Sequence, residues 1–157
     1  MRISRVTLAL VTLAIAGLGL GVAAQQKPAA TPAQKVTVYK TSSCGCCRLW
    51  VDHLKAAGFD VQAMDVSAEQ VRAVSKAAGL KDDEVSCHTA KVGNYVVEGH
   101  VPADDIKRML KEKPAIAGIA APGMPQGSPG MEQGSKDPYD VVAFTKDGKT
   151  TVFAKHQ

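Results

Sequence analysis

The chain has 157 residues, of which 45% are hydrophobic and 22% are charged, and its formal net charge is +4 at pH 7. A chain of this length holds about one domain and can bury a hydrophobic core without disulfide cross-links. The charge is small, and basic residues form no block and do not interleave with aromatic ones, which excludes nucleic-acid binding.

Residues 1–24 are predicted to be a cleaved signal peptide. Two arginines in Met1–Arg5 precede the apolar run Val6–Gly21, and Val22-Ala23-Ala24 then supplies small residues for cleavage. An uncleaved anchor is the alternative, because the run is nearly long enough to cross a bilayer. The rest of the chain is exported in both cases, and after cleavage we expect no membrane segment. Cleavage leaves 17 basic and 15 acidic residues, a formal charge of +2.

The remaining chain is predicted to be a flexible polar tether, residues 25–34, followed by one domain, residues 35–157. Hydrophobic periodicity and turn residues predict the following elements. These are a strand at Val36–Tyr39, a helix from about Cys47 to Gly58, a strand at Phe59–Val66, a helix from the cap Ser67 to Gly79, a hairpin of residues 90–92 and 95–97, a helix from Pro102 to Pro114, and a hairpin of residues 139–144 and 150–154. This order predicts a mixed α/β domain.

Two further features accompany these elements. A long loop rich in glycine and proline, residues 113–138, precedes the last hairpin. The side chains expected in the core are Trp50, Leu54, Val71, Val74, Ile106 and Leu110.

Three of the four cysteines lie in the segment TSSCGCCRLW, residues 41–50. Export favours disulfides, but structural cross-links normally join distant segments. Cys44 and Cys47 have the C-x-x-C spacing between a strand and a helix that is typical of thioredoxin, where the helix N-terminus favours a thiolate. Cys46 is not needed by a dithiol enzyme. Because soft sulfur ligands select Cu(I), zinc or iron–sulfur clusters, the third cysteine favours a metal site.

The order of elements also matches the thioredoxin fold. In that fold the loop that enters the third strand faces the cysteine loop, and here it carries Cys87-His88-Thr89. We therefore expect a fourth thiol and an imidazole beside the first three thiols.

Five motifs, CGCC, CHT, EGHVP, PGMPQGSPGME and DPYDV, follow one another along the chain. With them the sequence resembles the CopG-like copper-resistance proteins, which are exported bacterial proteins with a thioredoxin-like fold, from about Val36 to Lys155. The resemblance implies a periplasmic copper-binding protein with a redox role in copper handling. It maps the family's cysteines and motif histidines onto Cys44, Cys46, Cys47, Cys87, His88 and His100.

The other histidines and the loop methionines are weaker candidates. Met124 and Met131 lie seven residues apart in the long loop, and thioethers suit Cu(I). The alternative is that they anchor the loop on the core, since methionine fills irregular gaps well. Because a long loop without structure is unusual unless it is functional, a lid over the cysteines is our hypothesis. His53 is expected at the surface, and nothing supports a role for His156.

The leading interpretation is a periplasmic protein in which the clustered cysteines hold one or more Cu(I) ions, with His88 and His100 completing the site. It would sequester copper or exchange electrons with it, and its partners would be copper ions and other periplasmic copper-handling proteins. The alternative is a thiol–disulfide oxidoreductase with Cys44 as nucleophile and Cys47 as resolving cysteine. Cys46 counts against that alternative, as does the lack of proline in the segment Cys87-His88-Thr89. An iron–sulfur protein that uses all four cysteines is a third interpretation.

Overall fold

The computed structural model describes residues 32–157. The predicted signal peptide, residues 1–24, and residues 25–31 of the predicted tether lie outside the described residues. Residues 32–34 have no regular secondary structure. None of the helices formed by residues 32–157 is long and apolar enough to span a membrane.

Seven strands and three helices are formed by the described residues. In chain order they are β1 Lys35–Lys40, α1 Gly45–Ala56, β2 Asp60–Asp65, α2 Ala68–Ala77, β3 His88–Val92, β4 Tyr95–Glu98, α3 Ala103–Glu112, β5 Gly118–Ala120, β6 Tyr139–Phe144 and β7 Thr150–His156. The predicted mixed α/β class is confirmed.

All seven strands belong to one mixed sheet with the order β2-β1-β3-β4-β5-β6-β7. β1 runs parallel to β2 and antiparallel to β3, and β3 forms a hairpin with β4. These four strands and the helices that connect them form the thioredoxin-like core that the sequence predicts. β5 pairs with β4 and with β6, so the C-terminal hairpin extends the sheet through β5.

β5 lies inside the segment that we predicted to be a loop, residues 113–138, and the prediction is wrong for these three residues. Gly118-Ile119-Ala120 is too short to show a periodic pattern, and the glycine and proline residues around it are typical of loops. Glycine is required here because a Cβ at Gly118 would lie 1.9 Å from the carbonyl oxygen of Val96 on β4. Gly118 is thus a residue type that predicts a loop, but here it is required by the pairing of β5 with β4.

The sheet has a buried cluster on each face, because successive strand residues point to opposite sides. Ile119 belongs to the main cluster, which includes the buried side chains of α1 and α3. The next residue, Ala120, belongs to a second cluster with Phe144, Ala78 and Leu80. Helices α1 and α3 therefore cover one face of the sheet, and the segment that follows α2 covers part of the other.

Four of the six predicted core residues are buried, and two are not. Val74 on α2 and Leu110 on α3 are only partly buried. The fully or nearly fully buried ones are Trp50, Leu54, Val71 and Ile106. Helical spacing identifies the inward side of each helix, but it does not show how far the neighbouring elements extend over that side.

Candidate metal centre

Helix α1 begins at Gly45, two residues before the predicted start, because a cysteine caps it. The sulfur of Cys44 accepts a hydrogen bond from the backbone N–H of Cys47 at 3.3 Å. The first turn contains no acidic residue, so this sulfur is the side-chain group that satisfies a free N–H at the helix N-terminus. The cap places the sulfurs of Cys44, Cys46 and Cys47 at the N-terminal end of α1, which is the positive end of the helix dipole.

Cys44 and Cys47 are joined in a disulfide, and Cys46 and Cys87 are free thiols. The Cα atoms of the bonded pair are 5.4 Å apart, within the usual range for disulfides. Cys46 remains beside the bond, with its sulfur 3.6 Å from that of Cys44. The C-x-x-C pair that we named as redox candidates is therefore bonded, with a third thiol in contact.

Cys87 lies at the centre of the cluster, in the loop that enters β3. Its sulfur is 3.5 Å from that of Cys47 and 3.9 Å from that of Cys46. The same sulfur is 3.4 Å from Nδ1 of His88 and 3.2 Å from Nε2 of His100. The structure thus brings together the four cysteines and two histidines that the sequence singled out.

His100 is fully buried and held by the glycine- and proline-rich loop. Its Nδ1 lies 2.8 Å from the carbonyl oxygen of Pro129, which can only accept a hydrogen bond, so Nδ1 carries the proton. The lone pair of Nε2 is then free and faces the sulfur of Cys87. Burial lowers the pKa of His100, which keeps the ring neutral. A neutral imidazole oriented by a backbone carbonyl is the usual form of a metal-binding histidine.

His88 begins β3 and is also fully buried. Its ring packs against Trp50 at a centroid distance of 4.4 Å and meets the edge of His100 at 4.9 Å. Burial, with a further contribution from His100, lowers the pKa of His88 to about 3. Among residues 32–157 its buried Nε2 has no hydrogen-bond partner, and the backbone of Gly99 opposes part of the lowering of the pKa.

The cluster is electrostatically suited to a cation. Burial, which disfavours the charged thiolate, raises the pKa of the Cys87 thiol to about 12, and the neighbouring Cys46 adds to this effect. A bound cation reverses this effect, since it attracts both sulfurs and deprotonates coordinating thiols. Thiols and neutral imidazoles are soft or borderline donors, so this site gains most from a soft metal ion.

Glu98, which is not among the predicted site residues, holds the loop of Cys87 from both sides. Its carboxylate is buried at the end of β4 and accepts hydrogen bonds from the backbone N–H of Ser86 at 2.7 Å and the hydroxyl of Thr89 at 2.7 Å. The hydroxyl of Ser75 on α2 donates to the same carboxylate at 3.1 Å. Ser86 and Thr89 flank Cys87 and His88, so Glu98 fixes the position of both. The motif EGHVP contains this residue, but only the fold shows its partners.

The glycine- and proline-rich loop packs directly on the cysteine helix. Gly130 is so close that a Cβ there would lie 2.8 Å from the carbonyl oxygen of Cys46 and 3.0 Å from the backbone nitrogen of Trp50. Beside this contact is a cavity of about 530 Å³ lined by Cys46, Leu49, Met124 and Met131, among others. Met124 is 53% exposed. Both methionines therefore border the cavity that leads to Cys46.

The two remaining histidines have structural contacts away from the cluster. Nε2 of His53 accepts a hydrogen bond from the backbone N–H of Ala103, the first residue of α3, at 3.1 Å. His156 lies 2.7 Å from a carboxylate oxygen of Asp105 and stacks on Tyr139. His53 is only half-exposed because it caps α3, and His156 ties β7 to α3.

Two overlapping groups of side chains in the described chain could hold a metal ion. Cys44, Cys46, Cys47 and Cys87 form one group, and Cys87, His88 and His100 form the other. Within each group the ligand atoms all lie within 4.8 Å of one another, and neither group includes a carboxylate. Donors of this kind suit Cu(I) or zinc rather than calcium or magnesium.

Comparisons with known proteins agree with this geometry. Residues 85–131 match a family described as "Protein of unknown function, DUF411", and no curated protein sequence matches the chain significantly. The chain is similar to a solved structure of copper resistance protein CopG, form 2, with 42% identity and a TM-score of 0.72, over 80% of this chain and 99% of the other. Form 1 of that protein gives 41% identity and a TM-score of 0.72, over 79% and 98%.

Proposed function

The chain belongs to the CopG-like copper-resistance family, and from this we propose that it is an exported protein that binds Cu(I) for copper tolerance. The main support is the position of Cys87, whose sulfur contacts two other cysteine sulfurs and two imidazole nitrogens. These donors are soft or borderline, buried or partly buried, and include no carboxylate, which is the chemistry that Cu(I) prefers. The periplasm is the compartment that the predicted signal peptide and the family both favour.

The number of sulfur donors depends on the oxidation state of the disulfide. With Cys44 and Cys47 bonded, the donors are the thiols of Cys46 and Cys87 and the rings of His88 and His100. Reduction adds two further thiols at the helix N-terminus. Thiolates readily bridge soft metals, so the reduced site can hold more than one Cu(I). Ligand supply is thereby coupled to the redox state of the protein.

The same disulfide can exchange electrons with its cargo. Reduction of the Cys44–Cys47 bond consumes two electrons and two protons, and oxidation of two Cu(I) ions to two Cu(II) ions supplies those electrons. In the reverse direction the two thiols reduce two Cu(II) ions and release two protons as the bond forms. The sulfurs of the disulfide lie within contact distance of the thiols of Cys46 and Cys87. Electrons can therefore pass between the disulfide and copper held by these thiols without a large movement of the protein.

Met124 and Met131 are proposed to lie on the entry path rather than at the centre. They border the cavity that also exposes Cys46, and Met124 is open to solvent. The thioether of methionine binds Cu(I) but cannot form a disulfide. The two methionines can therefore bind the ion in the cavity before it reaches the thiols. Other periplasmic copper-handling proteins are the proposed source or destination of the ion.

The decisive experiment is an anaerobic Cu(I) titration of the reduced protein against a chromophoric competitor. We expect tight binding in the wild type and at least a hundredfold weaker binding in Cys87→Ser, because Cys87 belongs to both groups of ligands. Cys46→Ser should also lower the affinity or the stoichiometry. His156→Asn, which is remote from the cluster, should bind as the wild type does. Binding that is indifferent to both cysteine variants would contradict the proposal.

The second candidate function is thiol–disulfide exchange with other proteins, which the Cys44–Cys47 disulfide at a helix N-terminus favours. Insulin reduction discriminates between the two functions. We expect the copper protein to be a poor insulin reductase and Cys46→Ser not to change that rate. Rapid turnover that requires Cys44 and Cys47, but neither Cys46 nor Cys87, would favour the oxidoreductase.

A further inference from the structure

A second cavity, of about 580 Å³, lies between α2 and the sheet. It is bordered by the second half of α2, by β3 and β4, and by the segments before β5 and after β6. Ala73 and Ala77 on α2 are small and exposed, which leaves room beside the helix. None of the cysteines or histidines of the metal centre borders it.

The floor of this cavity is apolar and incompletely covered. Val74, Val96, Ile116 and Ala117 all border the cavity and are each only partly buried. Val96 and Ala117 pack against the second buried cluster of the sheet. Partly exposed aliphatic side chains on a well-packed base are typical of a small-ligand pocket, whose usual volume is about 300–1,000 Å³.

Two lysines from separate elements complete the lining. Lys91 lies on β3 and Lys146 in the β6–β7 turn, and both side chains are exposed. Within residues 32–157 neither lysine belongs to an ion pair, and the cavity lining contains no acidic residue. The charge that would complement this lining is negative.

The wall that carries Lys146 is fixed in place before any ligand binds. Gly79, at the end of α2, has φ +96°, and a Cβ there would lie 2.9 Å from both the Cα and the carbonyl oxygen of Lys146. The β6–β7 turn is therefore in backbone contact with the end of α2. A preformed wall lowers the entropy cost of binding.

We propose that this cavity binds a small amphipathic carboxylate, with its aliphatic part on the floor formed by Val74, Val96 and Ile116 and its carboxylate beside Lys91 and Lys146. The volume and the two ammonium groups favour a small molecule over a protein segment, which would need a wider surface. This binding is separate from copper binding and shares no side chain with it.

The test is an NMR titration of the purified protein with octanoate, and with 1-octanol as an uncharged probe of the same chain length. We expect saturable shifts of the backbone amides of Asn94, Val96 and Ala117. The double variant K91Q/K146Q should bind octanoate about 3- to 30-fold more weakly, as expected for two exposed ion pairs. The matched control K107Q/K111Q changes the same charge on α3 and should bind like the wild type. Ala77→Phe should block binding by filling the cavity.

Several outcomes would overturn the proposal: octanol binding as tightly as octanoate, K91Q/K146Q binding as tightly as the wild type, or shifts that lie elsewhere. If an acidic apolar peptide saturates these amides and octanoate does not, the cavity is a protein-docking site instead. Cys87→Ser should leave octanoate binding unchanged, so failure here and failure of the copper proposal are distinguishable.

Discussion

The sulfur of Cys87 lies 3.5 Å from the sulfur of Cys47, which is itself bonded to Cys44. A free thiol is therefore in contact with a disulfide, in the arrangement that precedes thiol–disulfide exchange. The exchange requires the thiolate of Cys87, and burial raises the pKa of that thiol to about 12. The thiol is thus held in place but mostly unreactive at neutral pH.

The first prediction concerns the partner of Cys47 when Cys44 is removed. In Cys44→Ser we expect a Cys47–Cys87 disulfide on mild oxidation, because these two sulfurs already lie 3.5 Å apart. Mass spectrometry of the alkylated, unreduced protein after proteolysis identifies the pair. Cys46→Ser serves as the control and should retain Cys44–Cys47. A Cys46–Cys87 disulfide in Cys44→Ser would contradict the prediction.

The second prediction concerns the histidine that the long loop orients. His100→Asn should weaken Cu(I) binding about 10- to 100-fold, the usual effect of disturbing a ligand or its orientation. Competition titrations of the reduced protein measure the change. His53→Asn, which removes a histidine that contacts α3 and not Cys87, is the matched control. Equal affinities of the two variants would remove His100 from the proposed ligand set.

The third prediction tests whether Gly130 matters for its close contact with α1 or only for its positive φ. Gly130 and Gly123 both have positive φ, +87° and +70°, so alanine costs roughly 1–2 kcal/mol of backbone strain at either position. Only at Gly130 would the new Cβ also collide with the backbone of α1. Gly130→Ala should therefore lift the loop, expose it to proteolysis and speed the loss of copper, whereas Gly123→Ala should do neither.

The readout for the loop is the rate of limited proteolysis within residues 121–138, measured with and without copper. If the loop is a lid, copper should slow cleavage in the wild type and in Gly123→Ala, but much less in Gly130→Ala. Cleavage at one rate in the loaded and the copper-free wild type would show that the loop does not close over the site.

The fourth prediction is a pH dependence that arises at His53. Burial lowers the pKa of His53, partly opposed by Glu132 and Asp104, and its Nε2 must be unprotonated to accept from Ala103. The unfolded chain therefore binds a proton at His53 more readily than the folded chain does. The contribution of neutral His53 to the free energy of unfolding is present above the unfolded pKa of about 6.5, and it is lost as the pH falls from there through the lower pKa of the folded protein.

Urea unfolding of the copper-free protein at pH 8 and at pH 5.5 measures this effect. The wild type should lose more free energy of unfolding between these pH values than His53→Gln does. The difference between the two proteins isolates His53 from His88 and His100, whose pKa values are also lowered by burial. The same loss in both proteins would contradict the assignment.

Much of the site could be predicted from sequence because its side chains lie at the ends of predicted elements. Cys44 and Cys47 lie between a strand and a helix, and Cys87 enters the third strand, so fold order alone brings them together. The supporting contacts could not be predicted in this way. The carbonyl oxygen of Pro129 has no side-chain signature, and the partners of Glu98 come from two separate segments, α2 and residues 86–89.

The short strand β5 also could not be predicted from the sequence. β5 has three residues, and Gly118 is there for a close contact with Val96, not for a turn. Local sequence patterns show which residues favour a strand or a loop, but not which backbone atoms must approach closely. Only the paired sheet reveals that requirement, as it also reveals the cavity beside Val74.

The cap formed by Cys44 has a consequence for the proposed electron exchange with copper. The same sulfur accepts the N–H of Cys47 and forms half of the disulfide. A thiolate accepts that hydrogen bond at least as well, so the first turn of α1 keeps its cap after the disulfide is reduced. The backbone therefore rearranges little when the oxidation state changes, and a low reorganisation energy is the property that a centre needs to cycle rapidly between two redox states.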